Sequence, residues 1–222
     1  MRKVWMGFLV VWVNVFALVG TIAQAGEVVI AALGDSLTQG YGLTQENGFV
    51  PQLEAWLRDH DADVRLINAG VSGDTTAGGL ARVGWTLEPQ VDAMIVALGG
   101  NDLLRGLDPA QARSNIEGIL QAAQKAEVEV LLIGMQAPGN FGADYKSRFD
   151  AIYPELAQAY GTEYFESFFA GLSDGQAPTN PAALRQWFQP DGIHPNAEGV
   201  ARIVQAIGPA VLALIAGVDG QS

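Results

Sequence analysis

The order of segments in this chain predicts an α/β fold, with parallel strands joined by crossover helices on both faces of one sheet. Three observations carry that prediction. Short apolar runs alternate with longer amphipathic stretches along the chain, which is the pattern of βαβ units. Several of the runs end in Gly-rich or polar turns: Gly34-Asp35-Ser36, Gly70-Val71-Ser72-Gly73-Asp74 and Gly99-Gly100-Asn101-Asp102. Finally, 49% of residues are hydrophobic and 16% charged, enough apolar surface for a sizeable core and too much for a disordered chain.

Taken in order, residues 28–33 read as a buried strand that opens into a loop at Gly34. A helix is expected over residues 49–58, a second strand over 64–69 and a helix within 75–87. A third strand over 93–98 leads to a helix over 109–126, and a fourth over 128–133 leads to a helix within 144–160. A weaker strand signal covers residues 163–165, and a last helix covers 197–215. No internal repeat or low-complexity linker interrupts the pattern, so residues 26–222 read as one domain. Ligands bind outside the carboxyl ends of strands in an open parallel sheet, which points all three turns at one crevice.

The first 25 residues read separately. Arg2 and Lys3 precede an apolar run over residues 4–19 broken only by Gly7 and Asn14, and Ala23-Gln24-Ala25 follows. These are the basic start, hydrophobic middle and small-residue cleavage site of a secretory signal peptide. A retained membrane anchor is the alternative, because the middle is near the lower length limit for a spanning helix. The expectation is cleavage after Ala25 and export to the periplasm or medium. No later segment reads as long and apolar enough to span a bilayer.

Removing Arg2 and Lys3, with no acidic residue, takes the formal charge from -12 to -14. That balance argues against nucleic acid, and against charge-driven docking on anionic lipid, since both require a basic surface. The chain has no cysteine, which excludes disulfides, a thiol nucleophile and Cys-built zinc sites. A nucleophile must then be oxygen or nitrogen.

Ser36 stands just past the first strand, behind Gly34-Asp35 and ahead of Leu37-Thr38-Gln39-Gly40. A serine there can project into the crevice as a nucleophile beside its own backbone N–H, or it can simply belong to a turn or cap a helix. Asp191-Gly192-Ile193-His194-Pro195 precedes the last helix. With Asp and His three residues apart in a tight turn, the carboxylate can accept from imidazole Nδ1–H and leave Nε2 facing a serine hydroxyl. The competing reading makes Asp191 or Asn196 a helix cap and leaves His194 merely exposed. The other histidine, His60, lies in a hydrophilic stretch that reads as a solvated connection. Gly73, through its N–H, and Asn101, through its side-chain amide, are candidate donors to an oxyanion, or else a turn glycine and a helix cap.

In combination, Gly34-Asp35-Ser36-Leu37, Gly73, Gly99-Gly100-Asn101-Asp102 and Asp191-Gly192-Ile193-His194-Pro195 occur in the order of the four blocks of the SGNH (GDSL) hydrolases, which this chain resembles from about Val28 to Ala206. Within that family it looks most like the bacterial periplasmic thioesterase I, lysophospholipase and arylesterase branch, through stretches at residues 68–79, 99–106 and 135–156. The resemblance implies a three-layer α/β/α sandwich with a five-stranded parallel sheet, of flavodoxin-like form. It also implies Ser36 as nucleophile, His194 as general base and then acid, and Asp191 as orienting carboxylate. The oxyanion hole would comprise the N–H groups of Ser36 and Gly73 and the amide of Asn101. No cofactor, metal or obligate protein partner is implied, only a small-molecule ester or lipid-like substrate.

The family's motifs report shared chemistry and not the acyl group. Expected substrate-lining residues are Leu37, Tyr41, Leu103, Leu104 and the segment at 136–141, which includes Pro138. A carbohydrate acetylesterase of the same family is the first alternative, and a non-catalytic small-molecule module on a flavodoxin-like scaffold the second. That module finds no G-x-x-x-x-G-K-[ST] or G-x-G-x-x-G loop here. Neither H-E-x-x-H nor a G-x-S-x-G elbow occurs, which argues against a zinc hydrolase and against the α/β-hydrolase plan.

Overall fold

A computed structural model describes residues 26–173 and 184–219; the expected signal segment lies outside the described residues. In chain order the elements are β1 (Val28–Gly34), α1 (Ser36–Gln39), α2 (Phe49–Asp59), β2 (Val64–Gly70), α3 (Thr76–Thr86), β3 (Ala93–Ala97), α4 (Gly100–Leu104) and α5 (Pro109–Lys125). Then follow β4 (Glu129–Ile133), α6 (Ala143–Asp150), α7 (Ile152–Tyr160), β5 (Glu163–Phe165) and α8 (Ala197–Asp219).

The five strands form one parallel sheet in the order β2-β1-β3-β4-β5. β1 and β3 are buried along their whole lengths, as parallel strands covered on both faces must be. From β1 the chain steps one way to β2 and then back past β1 to β3. Right-handed crossovers therefore place α2 on one face and the later connections on the other. Accordingly α2 packs with α8, while α3 packs with α5, and α5 with α7. The buried stripe of α8 is Val200, Ile203, Val204, Ile207, Val211 and Leu214, at helical spacing.

Register decides where the site lies. Gly34 pairs with Gly70 on one side and with Ala97 on the other, so the strands that precede all three Gly-rich turns end level. The strand order reverses between β1 and β3, and such a switch point is where doubly wound sheets open a crevice. Gly70 serves this directly, because a side chain there would strike the backbone of Gln39 in α1.

Three differences from the sequence reading have physical causes. The helix expected within 144–160 is two helices that meet at Ala151, because Pro154 lacks an N–H and crowds the carbonyl four residues back. The one-turn helices α1 and α4 occupy turns that read as loops, being too short to show a period. α8 continues past residue 215 through Gly217. By length and composition it is apolar enough to cross a membrane, contrary to the expectation that nothing beyond residue 25 is. Half of its apolar window is buried inside the fold.

Candidate active site

Asp35 begins the construction of the site. Its Oδ1 accepts the Leu37 N–H at 3.0 Å and so caps α1, which closes one turn later at Gly40 in a left-handed conformation. An N-cap satisfies one of the orphan amides at a helix start. It also leaves Ser36 at the first helical position, with its hydroxyl at the mouth of the crevice.

The loop before α8 brings the other two groups to that hydroxyl. Its ends are tied by Gln189 N–H donating to His194 O at 2.8 Å, by Asn196 N–H donating to Trp187 O at 2.9 Å, and by a bridge between Phe188 and Pro195. Asp191 Oδ1 accepts from the N–H groups of Ile193 and His194 at 2.9 and 3.0 Å, while Oδ2 is 2.7 Å from His194 Nδ1. His194 Nε2 then lies 2.9 Å from Ser36 Oγ. Three donors on one carboxylate, the His194 ring first and the two amides next, hold the Asp191 pKa down to about 2. Asp191 is therefore an acceptor at every working pH. The helix-cap role falls to Asn196, whose Oδ1 accepts the Gly199 N–H at 2.9 Å.

The two candidate oxyanion donors stand just beyond the ends of β2 and β3, which are level with the end of β1. Gly73 has φ 85°, and a side chain would find room there, with Arg105 Nη2 3.8 Å away. Left-handed backbone, and not crowding, is what calls for glycine. Among the described residues no group accepts the N–H of Ser36 or of Gly73. Unpaired amides of this kind are free to receive a developing oxyanion. Asn101 Nδ2 is 3.3 Å from Asp35 Oδ2, which aims its amide from α4 across to the serine loop.

Polar side chains, of which Thr76, Asp102 and Asn115 are buried, brace these loops. Asp102 accepts the N–H of Thr76 at 2.8 Å and its hydroxyl at 2.7 Å, and Asn115 donates to that same hydroxyl at 2.9 Å. Arg82 donates to Asp74 at 2.6 Å, to Ala69 O at 2.7 Å and to Gly34 O at 2.8 Å. Arg105 donates to Gly73 O at 2.9 Å. Together they fix the β1, β2 and β3 turns relative to one another, which is the preorganisation an oxyanion hole requires.

A cavity of about 820 Å³ opens beside Ser36. Leu37, Leu103, Leu104 and Pro138 line it. Tyr41 does not, and lies instead against the His194 ring, with centroids 4.6 Å apart. The sequence reading missed the wall formed by residues 166–173 after β5 and by Phe188, which come from segments with no motif. It also missed Asp35 as a working residue, although a cap position directly before the serine is a legible signal. His60 stacks on Trp56, with centroids 3.7 Å apart, away from the site.

Burial raises the Asp35 pKa to about 6, against the lowering effect of its Leu37 and Asn101 hydrogen bonds. A carboxyl group with a folded pKa above its unfolded value favours the folded state while protonated. Its contribution is full below about 4 and lost as pH rises through about 6, a cost of about 3 kcal/mol at neutral pH. Relative to wild type, Asp35→Asn should therefore gain stability on going from pH 4 to pH 7, by up to about 3 kcal/mol. Parallel thermal unfolding curves of the two proteins at both pH values check this, and a constant difference would contradict it.

Residues 32–202 match the GDSL-like Lipase/Acylhydrolase family. Esterase TesA of Pseudomonas aeruginosa is 36% identical over 200 residues, 90% of this chain and 95% of that protein. Thioesterase 1/protease 1/lysophospholipase L1 of Escherichia coli is 35% identical over 183 residues, 82% of each chain. Among solved structures, AlinE4, an SGNH-hydrolase family esterase, superimposes with a TM-score of 0.69 at 44% identity, over 86% of this chain and 98% of that one. The chain belongs to the GDSL-like lipase/acylhydrolase (SGNH hydrolase) family and is a carboxylic ester hydrolase.

Proposed function

We propose that Ser36 Oγ attacks the ester carbonyl while His194 Nε2 takes its proton, and that the same proton then goes to the departing alcohol. Water, activated in turn by His194, releases the acid from the acyl-enzyme. Asp191 keeps the proton of the imidazole on Nδ1 throughout. The observation that carries this reading is the continuous relay of 2.9 and 2.7 Å from Ser36 through His194 to Asp191. The N–H groups of Ser36 and Gly73 and the Asn101 amide receive the oxyanion. Asn101→Ala should accordingly lower kcat by about 10²–10³ with little change in KM; an unchanged kcat would remove Asn101 from that role.

The preferred substrates are esters of apolar acyl or aryl groups, because most of the cavity wall is aliphatic or aromatic. Thioester and lysophospholipid hydrolysis, for which the Escherichia coli relative is named, are secondary activities of the same site. The test is a panel of p-nitrophenyl esters from acetate to palmitate, with palmitoyl-CoA, a lysophospholipid and an acetylated sugar. Turnover that rises from acetate towards medium chains supports the reading, whereas turnover of the acetylated sugar alone would replace it with a carbohydrate acetylesterase. Residues 1–25 are proposed to direct export and to be cleaved after Ala25. Amino-terminal sequencing of the exported protein should then begin at Gly26, and a sequence beginning earlier would favour the anchor.

A further inference from the structure

One feature of the cavity has no part in ester cleavage. Its wall includes Glu166, an exposed carboxylate with no hydrogen-bond or ion-pair partner among the described residues. No lysine, arginine or histidine among those residues lines the cavity, so none of the described wall residues neutralises that charge.

The sheet gives Glu166 its distance from the nucleophile. Glu166 directly follows β5 and Ser36 lies just beyond β1, with β3 and β4 between them. Three interstrand steps of roughly 4.8 Å put the two about 14 Å apart along the carboxyl edge. Carbon–carbon bonds of about 1.5 Å meeting at about 111° advance an extended chain by about 1.25 Å per carbon. Roughly ten carbons therefore reach from the reacting carbonyl to Glu166, past Leu103, Met135, Pro138 and Phe169. The turn that carries Glu166 is fastened to the end of β4. Gly134 N–H donates to Phe165 O at 2.8 Å and Phe168 N–H donates to Gly134 O at 2.9 Å. A side chain at Gly134 would strike the Glu166 carbonyl. The backbone at Glu166 is therefore held in place.

We propose that Glu166 is a charge filter at the far end of the acyl cavity: uncharged chains of up to about ten carbons are accepted, and acyl groups ending in a carboxylate are discriminated against. The proposal rests on the assignment of Ser36 as nucleophile. A methyl terminus meets Glu166 without electrostatic cost. A carboxylate terminus meets a like charge a few ångströms away, with no cation to offset it and only part of the surrounding water to screen it.

The test compares kcat/KM for p-nitrophenyl decanoate with that for the p-nitrophenyl monoester of decanedioic acid, in wild type, Glu166→Gln and Glu166→Lys. An apolar wall disfavours a carboxylate by itself, so the readout is the change in this ratio among the variants. Glu166→Gln should lower the preference for the neutral ester about tenfold, and Glu166→Lys should lower it further. The wild-type preference should also shrink at high salt, as expected for a partly exposed charge. A ratio that is the same in all three proteins, or that ignores salt in wild type, would overturn the proposal. Ser36→Ala run alongside separates the two claims: turnover near the wild-type rate there removes the nucleophile assignment, while turnover cut to a residual rate, with the ratio unmoved in the Glu166 variants, removes the filter alone.

Discussion

Ser36→Ala is expected to lower kcat for ester hydrolysis by about 10⁴–10⁶, to a residual rate supplied by binding and the oxyanion donors. Among the described residues the hydroxyl hydrogen-bonds with His194 alone, so its removal costs the fold little. Asp35 still caps α1 through the Leu37 N–H, and alanine is a good residue for a helix start that is already capped. The thermal unfolding midpoint of the variant should stay within a few degrees of wild type. A variant that loses activity and also unfolds would show Ser36 to be structural, and a variant that keeps activity would show the nucleophile to lie elsewhere.

Asp191→Asn should cost about 10⁴ in kcat, and the reason is specific to this loop. Asp191 Oδ1 is already committed to the amides of Ile193 and His194. An asparagine that keeps those two bonds must place its oxygen there and turn its NH₂ towards His194 Nδ1. That nitrogen would then have to accept, which moves the imidazole proton to Nε2 and leaves nothing to receive the proton of Ser36. Binding is untouched, so KM should change little and the loss should fall in kcat. Because protonation of Asp191 is displaced to about pH 2, the acid limb of the wild-type rate profile is not assigned to this carboxylate. An Asp191→Asn variant with near wild-type kcat would mean that orientation of His194 is secured in some other way.

Much of this architecture was legible in the chain. β1 and β3 are central parallel strands buried on both faces, so they read as unbroken apolar runs, and the Gly-rich turns that follow them mark the crevice. The proposed triad was legible because Asp191 and His194 are three residues apart and bind each other locally, leaving only Ser36 to be supplied from far along the chain. Other features depend on packing that no local pattern encodes. The division between α6 and α7 turns on Pro154 at an early position of the second helix, where proline is tolerated and gives an ambiguous signal. Tyr41, expected as a cavity wall, lies against His194 because α1 ends at Gly40 and turns the chain towards the Asp191 loop, where Gln189 Nε2 donates to Tyr41 O at 2.8 Å. Glu166 and Phe169 join the cavity only because β5 is the edge strand beyond β4.

The buried carboxylates divide between bracing and strain. Asp102 receives two strong hydrogen bonds from Thr76 and joins the turns after β2 and β3. Asp35, held ionised against its surroundings at neutral pH, is the kind of locally destabilising group that active sites retain for function and the rest of the fold offsets.

Identity of the nucleophile is tested most directly by reacting the protein with a p-nitrophenyl alkylphosphonate and mapping the modified residue by peptide mass spectrometry. Release of one p-nitrophenolate per active enzyme is expected, with loss of esterase activity in step with it and a phosphonyl group on Ser36 alone. His194→Ala should slow that modification sharply, because the hydroxyl would have no base. Modification of another residue, or loss of activity with Ser36 left unmodified, would contradict the proposed mechanism.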